Sequence, residues 1–237
     1  MIPVYEKEYL IGPGLADSTG KLGYHETFRL FMDMAANHAA LIGVGLYDMG
    51  ARDMFWLTVK TKAIFGVRPP IGSTVLLRTF PEKPERIRGC RSYEVIWNGS
   101  SVIRGKTEWA VMNTAAKRLV PMKDVYPEGL EFGAGLCPEP FCRIEESDGE
   151  TYLTYRVGSS DVDVGGHMNN AAYVRAMLGS LSSEELFAFA PRTIDVAYRA
   201  SCYEGETLEM KKRRSDAAIE IGAYRNGECA VLIRLEK

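Results

Sequence analysis

The chain has 237 residues and a net charge of −2, with 46% hydrophobic and 25% charged residues, the balance of an ordinary globular protein. That balance provides no field to recruit nucleic acid or an anionic membrane, and no apolar run approaches the roughly 20 residues that span a bilayer. The opening MIPVYEKEYL lacks a basic stretch followed by an apolar one, and five cysteines, an odd count, suit free thiols better than a disulfide framework, so the protein is expected to be cytoplasmic.

VYEKEYLI, from Val4, predicts a strand, and GPGLADSTGKLG is turn material. The stretch HETFRLFMDMAANHAALIG then places Phe31, Ala35, His38 and Ile42 at near-helical spacing, with Gly43 suited to end the helix. FWLTVKTKAIF, STVLLRTF, CRSYEVIW and SVIRGKTEWAVM predict strands, the last two joined by a turn at Asn98-Gly99.

The second half repeats this order. TYLTYRV predicts a strand, and DVDVGGHMNN leads into a helix with Tyr173, Met177 and Leu181 on one face. Ser182 and Glu185 form a capping box for a short continuation. TIDVAYRA, TLEMKKRR, AIEIGAY and CAVLIRLE predict strands, with Asn226-Gly227 as the matching hairpin turn. Between the halves, residues 126–150 are rich in Pro, Gly and Glu and predict a linker. The expected architecture is α+β. It has two helix-on-antiparallel-sheet units, residues 1–125 and 151–237, joined in one continuous sheet that protects strand edges.

Common catalytic motifs are absent: there is no phosphate-binding loop and no Gly-x-Ser-x-Gly elbow. Gly12-Pro13-Gly14 begins like a dinucleotide fingerprint, but the third glycine is missing. The chemistry concentrates in DVDVGGHMNN. Gly165 and Gly166 let the backbone bend tightly, and the helix beginning near Asn169 presents amide groups and a positive dipole end suited to a developing oxyanion. Asp163 can accept a proton, order a water or attack a carbonyl, and His167 can donate to or position the same water. An aspartate before a helix is also an ordinary cap, and Gly-Gly an ordinary turn. A metal held by Asp161, Asp163 and His167 lacks a second histidine nearby, Cys137 and Cys142 lack a completing pair, and neither metal nor cofactor is expected. His25 and His38 are read as structural.

The stretch DVDVGGHMNNAAYV resembles the Asp-x-Asp-x-Asn-x-His-Val-Asn-Asn-x-x-Tyr signature of the acyl-acyl carrier protein thioesterases. ANHAALIGVG, FWLTVKTKAIFGVRPPIGSTVLLRTF and GKTEWAVMNTAAKRLVP resemble that family's amino-terminal domain, so the similarity runs along nearly the whole chain. The resemblance implies a double hotdog fold and hydrolysis of fatty acyl-acyl carrier protein to a free fatty acid. It also implies an acyl-binding amino-terminal domain and a catalytic carboxy-terminal one. Asp163 and His167 match the family's catalytic aspartate and histidine. The family's catalytic asparagine is Gly165 here, and its glutamate, followed in plant members by cysteine, is Ser201 beside Cys202.

The candidate catalytic residues are therefore Asp163, His167, Cys202 and Ser201, with Gly165, Gly166, Asn169 and Asn170 as turn and oxyanion residues. Cys202 reads as a nucleophile activated by His167 or as a small wall residue, the wall being preferred. If the family's network still fits, Gly165→Asn with Ser201→Glu raises hydrolysis. An acidic carrier protein calls for a basic docking surface, with Lys211 to Arg214, Lys60, Lys62, Arg86, Arg88 and Arg91 as candidates. The same fold could instead cleave acyl-coenzyme A, or bind acyl thioesters without cleaving them. A homodimer is left open.

Overall fold

The computed structural model describes residues 3–237. The chain divides into two units, Met1–Glu139 and Pro140–Lys237. The first contains strands β1 (Tyr5–Leu10), β2 (Met54–Phe65), β3 (Thr74–Pro81), β4 (Gly89–Trp97), β5 (Ser100–Asn113) and the two-residue β6 (Arg118–Leu119), with helices α1 (Tyr24–Leu41) and α2 (Leu46–Gly50). Its strands run in the order β1-β3-β4-β5-β2, antiparallel throughout, with β6 on β5.

Helix α1 forms where the apolar spacing is helical, and it buries Phe28, Leu30, Phe31, Met34 and Ala35. Gly43, at φ +73°, turns the chain just past its end. Phe31 stacks on Tyr93 of β4 with ring centroids 4.5 Å apart. Gly105 on β5 allows this approach, since a Cβ there would lie 2.3 Å from Phe31 Cε2 and 2.8 Å from the Lys62 carbonyl. Each such buried aromatic contributes about 1.5–3 kcal/mol. His38 is a core residue, as expected: it is fully buried, and its Nδ1 accepts from Arg91 Nη1 at 2.9 Å.

The second unit contains β7 (Thr151–Arg156), α3 (Asn170–Leu178), α4 (Ser183–Phe189), β8 (Thr193–Tyr198), β9 (Thr207–Arg214), β10 (Ala218–Arg225) and β11 (Glu228–Glu236). The order is β8-β11-β10-β9-β7, again antiparallel. Both hairpin turns form as predicted, with positive φ at Asn98, Gly99, Asn226 and Gly227.

The second helix is shorter than the sequence suggests. α3 stops at Leu178 because Gly179 and Ser180 break the run, so Leu181 lies beyond it. Ser182 caps α4 by accepting from the Glu185 N–H at 3.0 Å. The Glu185 carboxylate does not complete the expected box; it pairs with Lys212 and Arg214 instead.

Residues 126–150 form no helix or strand, yet they are fastened down. Leu136 N–H donates to Ser92 Oγ at 3.0 Å, and Arg104 Nη1 to the Leu136 carbonyl at 2.8 Å. Past the division, Cys142 N–H donates to Asp195 Oδ1 at 3.0 Å, and Ser147 N–H to the Tyr224 hydroxyl at 2.8 Å.

Candidate active site

The turn before α3 is a closed loop. Val162 and Met168 bridge in antiparallel fashion, Asp163 N–H donates to the His167 carbonyl at 3.1 Å, and Gly166 N–H donates to the Asp163 carbonyl at 3.0 Å. Gly166 sits at φ +77°, a conformation that favours glycine. Gly165 has no positive φ; what it lacks is room, because a Cβ there would lie 3.0 Å from His167 Cε1 and Nε2 and 3.1 Å from Asp163 Oδ1. The imidazole therefore leans over the glycine toward the carboxylate.

Both Asp163 oxygens are held. Oδ1 accepts from Gly165 N–H at 2.8 Å, and Oδ2 from Asn169 Nδ2 at 3.4 Å. His167 Nδ1 stands 3.8 Å from Oδ1, beyond hydrogen-bond length, and the two side chains are 23% and 32% exposed. An accessible carboxylate beside an imidazole can accept a proton from water, and such contacts often tighten only when substrate binds.

The same loop occurs in the first unit. Ala16 bridges Leu22, Asp17 N–H donates to the Lys21 carbonyl at 2.9 Å, and Gly20 N–H, at a positive-φ residue, donates to the Asp17 carbonyl at 2.9 Å. A 3-10 turn precedes each loop, Pro13–Leu15 in one and Ser159–Asp161 in the other, and a helix follows each. Asp17 is thus the positional twin of Asp163, Lys21 of His167, and Gly23 of Asn169. The surroundings differ. Asp17 accepts from Thr19 N–H at 2.9 Å and Thr19 Oγ1 at 2.5 Å, and Arg68 Nη1 pairs with its other oxygen. Burial raises the Asp17 pKa, but the Thr19 and Arg68 hydrogen bonds outweigh it and hold the carboxyl below its ordinary value.

The remaining predicted residues divide. Met168 N–H donates to the Cys202 carbonyl at 2.7 Å, so Cys202 does adjoin the loop. Its thiol is fully buried, and burial pushes its pKa up, partly offset by a hydrogen bond with Tyr173. Cys202 N–H donates to the Tyr173 hydroxyl at 2.8 Å. Ser201 is exposed, with its carbonyl taking Arg225 Nη1 at 2.6 Å.

Three of the four expected oxyanion residues have their N–H groups engaged within the fold. Gly165 and Gly166 donate to Asp163, and Asn169 N–H donates to the Asp161 carbonyl at 2.8 Å. These three serve as turn and cap. Asn170 opens the helix, and its carbonyl accepts from Tyr198 at 3.2 Å. Asp161 is structural: its buried carboxylate takes Tyr155 and Gly158 N–H at 2.9 Å each and pairs with Arg175. No group of His, Cys, Asp and Glu suited to a metal occurs among the described residues.

The expected basic patch also fails in part. Glu185 takes Lys212 and Arg214, Glu220 takes Arg213, Glu108 takes Arg88, and Arg91 and Lys62 are buried. Strand alternation and cross-strand pairing neutralise Lys212, Arg213 and Arg214, while Lys211 lies over the Tyr224 ring. Tyr173 was the contact that spacing could not single out, although the helical pattern marked its face.

The model of the acyl-ACP thioesterase N-terminal domain matches residues 3–130, and that of the acyl-ACP thioesterase C-terminal domain matches residues 144–235. The chain belongs to the acyl-ACP thioesterase family. A palmitoyl-acyl carrier protein thioesterase of Cuphea hookeriana is 24% identical over 225 residues, 86% of this chain and 52% of that protein. An oleoyl-acyl carrier protein thioesterase of Coriandrum sativum is 22% identical over 204 residues, 76% of this chain and 54% of that protein. The chain thus spans about half the length of the curated relatives it matches. Among solved structures, an acyl-ACP thioesterase from Bacteroides thetaiotaomicron superposes with a TM-score of 0.87 at 18% identity, covering 99% of this chain and 97% of the other. The 12:0-ACP thioesterase from Umbellularia californica gives 0.82 at 17% identity, covering 98% and 96%. At these identities the likeness speaks for the fold, and it agrees with the α+β, hotdog-like architecture implied by the acyl-ACP thioesterase resemblance.

Proposed function

We propose that the chain hydrolyses fatty acyl thioesters of acyl carrier protein, releasing a fatty acid and the carrier thiol. The observation that carries this reading is the contrast between the twin loops. Asp17 is neutralised by Arg68, whereas Asp163 keeps an accessible carboxylate beside His167 at the start of α3. Catalysis is accordingly assigned to the second unit, and the acyl chain to the first.

In the proposed step, water oxygen bonds to the thioester carbonyl carbon while Asp163 takes its proton. The C–S bond then breaks, and the proton passes to the departing thiolate. His167 positions the same water, and the positive end of α3 favours negative charge on the carbonyl oxygen. This route uses no cofactor. Cys202 stays a buried wall residue, since a raised thiol pKa disfavours the thiolate a nucleophile needs. None of the five cysteines is joined in a disulfide, which suits a reducing cytosol, and among the described residues no helix is long and apolar enough to cross a membrane.

Thiol release from matched myristoyl and palmitoyl thioesters of acyl carrier protein and of coenzyme A tests the proposal. Higher kcat/KM on the carrier-protein substrates is expected. Preference for coenzyme A would contradict the assigned handle, and no release from any of them would contradict hydrolysis.

A further inference from the structure

Asn169 lies between two structures that must be kept in register, the α3 N-terminus and the Asp163 carboxylate. Its Oδ1 accepts from Ala171 N–H at 2.9 Å. An N–H can only donate, so this bond fixes which way the side-chain amide points, and Nδ2 is the end left to face Asp163. It stands 3.4 Å from Oδ2. The Asn169 backbone is equally constrained: its N–H donates to the Asp161 carbonyl at 2.8 Å, and its carbonyl accepts from Ala172 and Tyr173 at 2.9 and 3.2 Å. The donor offered to Asp163 is therefore mounted on a fixed platform.

The twin loop provides an internal comparison. Gly23 occupies the place of Asn169 and makes no side-chain cap. There the aspartate is gripped by Thr19 and Arg68, and Gly23 has no side-chain amide to offer it. The amide is present only in the loop whose carboxylate is left accessible. A neutral donor orients a carboxylate without cancelling its charge, as the Arg68 guanidinium does for Asp17.

We infer that Asn169 is a positioning residue that orients the Asp163 carboxylate through its side-chain amide, in addition to capping α3. The inference rests on the reading of Asp163 as the proton acceptor. Titratable groups stand near that carboxylate or on the segments bonded to its loop. His167 Nδ1 is 3.8 Å away, and Asp161 is engaged with Arg175 and Tyr155. The Cys202 thiol lies in the segment bonded to Met168.

Asn169→Ser and Asn169→Asp separate positioning from capping, because serine and aspartate cap helices about as well as asparagine. Both variants should melt within a few degrees of wild type. With palmitoyl-acyl carrier protein, Asn169→Ser should lower kcat by about tenfold with KM nearly unchanged. Asn169→Asp sets a second carboxylate beside Asp163, which disfavours its ionisation. The acid limb of the kcat/KM profile should move upward by about one pH unit, and an NMR titration of the Asp163 carboxyl should move with it. The NMR arm needs no turnover. Wild-type kcat, pH profile and carboxyl titration in both folded variants would overturn the inference. A rate loss that merely follows a lowered melting temperature, with the Asp163 titration unmoved, would reduce Asn169 to a cap. Asp163→Asn tells the two claims apart: if it keeps turnover, the proton-acceptor assignment itself falls. If it is inactive while the Asn169 variants behave as wild type, only the positioning role falls.

Discussion

Asp163 and Asp17 occupy the same turn and differ in what reaches their carboxylates. Arg68 closes one, while the other is held by a backbone N–H and an amide and left partly open to water. Gly165 matters here through space rather than conformation. A side chain at this position must displace the His167 ring by a few tenths of an ångström. The expectation that Gly165→Asn with Ser201→Glu raises hydrolysis therefore turns on whether the His167 ring gives way by that distance. Gly165→Ala isolates the steric effect. Its kcat is expected to fall by about five- to tenfold, less than the roughly 100-fold that a 1 Å misplacement can cost. Unchanged kcat in a folded Gly165→Ala protein would show that the ring's approach is immaterial.

Cys202 gives a second test at this scale. Its buried thiol bonds with Tyr173, so Cys202→Ala should cost far less turnover than Asp163→Asn. Mass spectra of quenched reactions should show no acyl adduct on Cys202, and trapping one would promote it to nucleophile. The sequence made Asp163, His167 and the Gly-Gly turn legible because charge and glycine cluster before a helix. It could not show that Asp161 faces Arg175, or that the N–H groups of Gly165, Gly166 and Asn169 are already engaged. Those facts depend on how the loop closes on itself and on α3.

At the level of elements, strands and hairpins were legible from alternation and the two Asn-Gly turns. The length of the second helix was not, because apolar spacing runs on through Leu181 while Gly179 and Ser180 end the helix. The first-unit loop shows the same element closed by a cation, with Arg68 and Thr19 holding Asp17. Arg68 also lies over the Tyr24 ring, 4.1 Å from its centroid, which ties the loop to α1. Removing the cation in Arg68→Gln leaves Asp17 poorly compensated and should destabilise the protein by about 1–3 kcal/mol without lowering kcat. The folded pKa of Asp17 is held below its unfolded value of about 3.9. Its stabilisation is thus complete above that value and lost as pH falls through the folded one. Denaturant melts across acid pH should show wild type losing this contribution on acidification and Arg68→Gln losing less. A kcat loss in folded Arg68→Gln would mean that the first loop takes part in the chemistry.

At the scale of the whole molecule, one architecture is built twice, and the proposed chemistry is assigned to one copy. The repeat was visible in element order, and the family match extends across both halves, residues 3–130 and 144–235. The surface charge was the least legible property. Strand alternation sends neighbouring basic residues to different environments, and carboxylates distant in sequence neutralise most of the run Lys211 to Arg214. The assignment of hydrolysis to the second unit rests on one carboxylate. Its most direct test is thiol release from palmitoyl-acyl carrier protein by wild type and by Asp163→Asn, each shown to be folded by its melting curve. The account predicts turnover by wild type and a loss of about 100-fold or more in the variant. Near-normal turnover by folded Asp163→Asn would contradict it.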